Sequence, residues 1–64
     1  MRYLALLDFS ISKVRIIKLD DMDLDLLASL EEITDFIRKV EDKYDFKESN
    51  CSWMIMDNLK LEII

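Results

Sequence analysis

Cys51 is the only thiol in the chain, and there is no histidine. A nucleophilic Cys or Ser needs a neighbouring base to remove its proton, and His is the usual one. Lys47 is the one nearby cation that could favour a thiolate, by field alone. Ser10, Ser12, Ser29, Ser49 and Ser52 lack a base in the same way. Cys51 is therefore expected to be a structural residue at the start of a strand. The 14 acidic residues in 64 make carboxylate pairs by chance. Acid–base catalysis also needs a water-excluding cleft of about 300 Å³ or more, which a chain this short has little room to build. No catalytic residue and no cofactor is assigned.

Glycine and proline are both absent. Without glycine no phosphate-cradling loop can form, and turns must use Asn, Asp or Ser. One acidic pattern invites a metal reading. Asp21, Asp23, Asp25, Ser29 and Glu32 fall at positions 1, 3, 5, 9 and 12 of an EF-hand-type calcium loop, ahead of an amphipathic helix. Leu26 stands where that loop needs glycine, and a strand leads in where a helix should. Weak calcium binding by Asp21, Asp23, Asp25 and Glu32 is one alternative; an acidic helix start is the plainer one.

The 9 basic residues give a net charge of −5. Lys13, Arg15 and Lys18 form the one basic cluster before the helix, and Asp20 and Asp21 abut it, so direct nucleic-acid binding is not expected. Asp20, Asp21, Asp23, Asp25, Glu31, Glu32 and Asp35 are seven acids with no base between them. Such a row could mimic nucleic-acid phosphates and occupy a binding protein, or simply face solvent.

The elements that hold these groups can be read from periodicity. Residues 2–7 are short and apolar, bounded by Asp8 and Ser10, and predict a strand. Residues 13–19, with Val14, Ile16 and Ile17, predict a second, joined through the loop 8–12. Leu26, Leu30, Ile33, Ile37, Val40 and Tyr44, flanked by Leu27 and Phe36, make one helical stripe. Ser29 to Glu32 fits a capping box, which places the helix at 30–44. A start near Met22, capped by Asp20 or Asp21, is the alternative. Residues 52–56 and 59–64 read as strands joined by Asp57-Asn58, a two-residue turn. The expected fold is a single α+β domain over 1–64, two-layer β-β-α-β-β, with one helix on a mainly antiparallel sheet.

That hairpin register puts Met54, Met56, Leu59, Leu61 and Ile63 under the helix. Tyr3, Leu7, Ile17, Trp53 and Ile55 are then left on the uncovered face, too apolar a set for solvent. They are the candidate interface, for a second copy or another protein. A slipped register would swap the two faces.

The mass of 7.7 kDa implies roughly 4,300 Å² of folded surface, near the lower limit for a domain folding alone. A hydrophobic fraction of 52% argues against disorder. The longest apolar run, Tyr3 to Leu7, is five residues, far too short for a membrane span or for a signal peptide before Asp8.

Two stretches carry a resemblance. Leu6-Leu7-Asp8-Phe9-Ser10 resembles the opening of short uncharacterised proteins of gut Bacteroidetes. Ser49-Asn50-Cys51-Ser52-Trp53-Met54 resembles the Asn-Cys-x-Trp-Met segment of the same group. The resemblance implies a cytoplasmic bacterial or mobile-element protein and no catalytic residues. The expected function is a non-enzymatic interaction or structural module that self-associates. An acidic inhibitor or nucleic-acid mimic, or a weak calcium binder, is the alternative.

Overall fold

A computed structural model describes residues 2–64 and gives an α+β fold. Strands β1 (Tyr3–Asp8) and β2 (Lys13–Lys18) form an antiparallel hairpin, followed by helices α1 (Asp21–Ser29), α2 (Ile33–Lys39) and α3 (Glu41–Tyr44). A single 3-10 turn, Glu48–Asn50, leads into β3 (Cys51–Met56), which returns antiparallel to the other side of β1. The sheet order is β2-β1-β3, so the most apolar strand is central. Backbone bonds from Leu19 N–H to the Arg2 carbonyl and from Phe9 N–H to the Asn50 carbonyl, both 3.0 Å, extend the ladders at either end.

Leu4 and Leu6 of β1 are fully buried against Phe36, Ile37 and Val40, with Leu19 and Phe46 closing the core. The glycine-free turns use the expected substitutes. Ser12 closes the β-hairpin at φ 52°, and Asp45 ends α3 at φ 56°. Ser and Asp bear the left-handed region because their short side chains can bond the local backbone.

The helical stretch differs from the expectation of one helix at 30–44. α1 starts at Asp21, capped by Asp20, and a reciprocal bond between Asp20 and Asp23 completes the capping box. The expected box at Ser29 to Glu32 does not form. The Ser29 hydroxyl donates to the Leu26 carbonyl at 2.7 Å, and Glu32 precedes α2 without a side-chain cap. Leu30 and Glu32 are extended instead. An unbroken 21–44 helix would run about 36 Å, whereas six-residue strands are about 20 Å long. Breaking at 30–32 keeps both halves over the sheet.

The expected fourth strand at 59–64 is not formed. The chain bends at Asp57-Asn58 and runs on irregularly. A type I′ turn wants φ > 0 at both central residues, and neither position has glycine to allow it cheaply. The two-layer β-β-α-β-β layout is thus replaced by three strands with three short helices between the second and third.

Ile37 is fully buried, while Ile33, in the first turn of α2, is 43% exposed. Ile37→Asp should therefore cost several kcal/mol of a total near 5 and unfold the domain. Ile33→Asp should shift stability by less than about 1 kcal/mol, since it adds an acid to a helix start at a half-open site. Thermal melts followed by circular dichroism check both; equal loss for the two variants would contradict this packing.

Candidate interaction surface

The register of β3 on β1 decides which side chains meet the helices. Leu4 lies opposite Ile55, Leu6 opposite Trp53, and Asp8 opposite Cys51. On the other side Leu4 pairs with Ile17 and Leu6 with Arg15. Ile17, Trp53 and Ile55 consequently pack against the core from beneath the helices. This corrects their expected place on the uncovered face. Leu59, Leu61 and Ile63 would decide the face only through a hairpin at 57–58, which does not form. Without them the choice lies between Cys51, Trp53, Ile55 and Ser52, Met54, Met56. Trp and Ile remove more apolar area from water than Met and Ser.

Tyr3 and Leu7 do lie on the uncovered face, together with Ala5, Val14, Ile16, Met54 and Met56. Val14 is 65% exposed, Met54 54% and Leu7 43%. Lys18 is the only charged side chain among the nine paired positions of that face, and Ser52 the only other polar one. At the hairpin end, Leu7, Phe9 and Val14 border a shallow notch of about 190 Å³. Val14, Ile16, Met54 and Met56 were the members missed from sequence. Their signal was the apolar alternation of β2 and β3 taken against β1 alone.

The acidic candidates are separated by α1. Asp21 and Asp25 are exposed and Asp23 is buried, while Glu32 lies beyond the break. Asp23 is instead the centre of an internal lock. Its carboxylate accepts from the Asp20 N–H at 3.2 Å, from Lys43 Nζ at 2.9 Å and from the Tyr44 hydroxyl. Lys43 also reaches Asp20 at 2.8 Å and sits 5.2 Å from the Tyr44 ring centre. This ties the start of α1 to the end of α3. No group of three or more acidic, Cys or His side chains among the described residues is placed to hold a metal ion. Of the row of seven acids, Asp20 and Asp23 share Lys43 as their ion-pair partner, and the other five are exposed.

A second concavity, about 420 Å³, lies between the β-hairpin loop and α3 and is lined by Asp8, Ser10, Glu41, Asp42, Asp45 and Lys47 among others. Its carboxylates have local partners. Asp8 accepts from the Ser10 hydroxyl at 2.6 Å and N–H at 3.0 Å, and Glu41 from the Glu48 N–H at 2.8 Å. The Ser10 hydroxyl holds the Asp8 carboxyl below its ordinary range. Burial, with Asp8 opposite, pushes the Cys51 thiol up, which is the reverse of what a nucleophile needs. Arg15 spans the same end of the sheet, donating to the Asp45 carbonyl at 3.2 Å.

The lock has an acid signature. The Lys43 hydrogen bond lowers the Asp20 pKa from 3.8, so the stabilisation is present above pH 3.8 and is lost as pH falls through the folded value. Asp8 acts in the same direction. Melting temperature should therefore fall steeply below about pH 4, and Lys43→Met should flatten that limb by removing the Asp20 part. Asp23→Ala should cost about 1–3 kcal/mol at neutral pH by stranding the Tyr44 hydroxyl and the Asp20 N–H. An unchanged acid limb in Lys43→Met would contradict the lock.

Comparison with family models, curated proteins and solved structures finds no match to the chain.

Proposed function

We propose that this chain is a protein-interaction or structural module rather than an enzyme, and that it self-associates through its uncovered sheet face. One observation carries the reading. A three-stranded sheet packs helices on one side only, and the other side presents Tyr3, Leu7, Val14, Ile16, Met54 and Met56 with a single charge at the rim. Apolar area of that kind gains by being removed from water at about 25 cal/mol per Å². The acidic surface does not oppose this contact, because its carboxylates sit on the helices and loops rather than on the uncovered face.

Sedimentation at micromolar concentration should show a species heavier than the 7.7 kDa chain. Phe9→Ser with Val14→Lys removes apolar area around the notch and adds a charge, without touching the core. The pair should weaken association about tenfold or more, equivalent to about 1.4 kcal/mol, with the circular dichroism spectrum unchanged. A parent that stays monomeric, or a variant that associates as well as the parent, would overturn the proposal.

A further inference from the structure

A different observation, at the edge of the sheet rather than on its face, points to what residues 59–64 do. The two edges of the sheet are unlike. β2 carries Lys13, Arg15 and Lys18, the charges that normally discourage pairing by a further strand. β3, with the sequence Cys-Ser-Trp-Met-Ile-Met, carries none, and its outer edge has no partner strand. A long, uncharged, apolar edge of this kind is a template for another strand.

The chain holds a segment suited to that edge and leaves it unused. In residues 59–64, Leu59, Leu61 and Ile63 alternate with Lys60 and Glu62, the pattern of a strand with one apolar face. These apolar side chains are 44%, 65% and 94% exposed. The segment has six residues, as β3 does. It cannot easily fold back on its own β3, because the tight turn would have to be made by Asp57-Asn58 without glycine. Pairing with the β3 of a second copy needs no tight turn. It needs the bend at 57–58 to open, which releases the Arg2–Asp57 ion pair at 3.0 Å.

We infer that two copies exchange residues 59–64, each segment adding antiparallel to the uncharged edge of the other copy's β3. The register that a hairpin would have used then forms between chains: Leu59 opposite Met56, Leu61 opposite Met54, and Glu62 opposite Trp53. Leu59, Leu61 and Ile63 join Met54 and Met56 on the uncovered face, and Lys60, Glu62 and Ile64 take the other. The symmetry is two-fold and closed, so each copy gives and receives one strand. Lys60 and Glu62 cancel in charge, which lets two chains of net charge −5 meet along this seam. One three-stranded face measures about 14 by 20 Å, or about 280 Å² in projection, and the exchange joins two such faces and adds the 59–64 strands to them.

Amide hydrogen exchange on the full chain, with sedimentation in parallel, tests this. Protection at residues 59–63 should rise with concentration in step with the dimer. Leu61→Pro, at an exposed position outside every ladder of the single copy, should abolish that protection and weaken dimerisation about tenfold or more, leaving the fold intact. Phe9→Ser with Val14→Lys, at the hairpin end of the sheet and outside both β3 and residues 59–64, should leave the concentration-dependent protection in place whether or not the face itself associates. Protection independent of concentration would mean an internal hairpin and would overturn the exchange. So would unprotected amides at every concentration, or protection lost in the face variant and kept in Leu61→Pro.

Discussion

Leu6 lying opposite Trp53 is the contact on which the rest of the structure depends. A one-residue slip of β3 on β1 would turn every β3 side chain over. Trp53 and Ile55 would then leave the core, and Met54 and Met56 would replace them. The observed register takes the largest side chain of the strand inside, next to Leu4, Leu6 and the Phe36, Ile37, Val40 ridge. It therefore also dictates what remains outside. The uncovered face is the set of residues that lost the competition for the core.

The helical layer above the sheet is divided at 30–32, and breaking a helix exposes its ends and frees its pieces to drift. The capping box of Asp20 and Asp23 satisfies the new start of α1. Lys43 and Tyr44, reaching back from α3 to the same two carboxylates, hold the far end of the helical layer against the near one. In this way Asp20 and Asp23, two of the acids that look in sequence like part of a phosphate mimic, serve as internal ties.

How much of this was legible follows from which signals were local. The β1–β2 hairpin was readable because its apolar runs and its polar loop are contiguous. The absence of glycine correctly pointed to Asp and Ser as turn residues, and they occupy Ser12 and Asp45. The alternative helix start near Met22, capped by Asp20 or Asp21, was visible in the acids that precede Met22, and Asp20 is the cap that forms. The break was not, because nothing in residues 29–32 forbids a helix. The faces of β3 were misassigned for a non-local reason. A strand pattern in 59–64 is real, yet with no partner inside the chain it could not determine the register of its neighbour. Sequence alternation shows that a strand can form, not with which chain it pairs.

The central claim, that Trp53 faces the helices and Met54 the open side, can be tested directly by hydroxyl-radical footprinting of dilute protein, where association is minimal. The account predicts rapid oxidation of Met54 and slow modification of Trp53, with a blue-shifted Trp53 emission. Rapid modification of Trp53 and protection of Met54 would show that β3 is turned over, and with it the assignment of both faces.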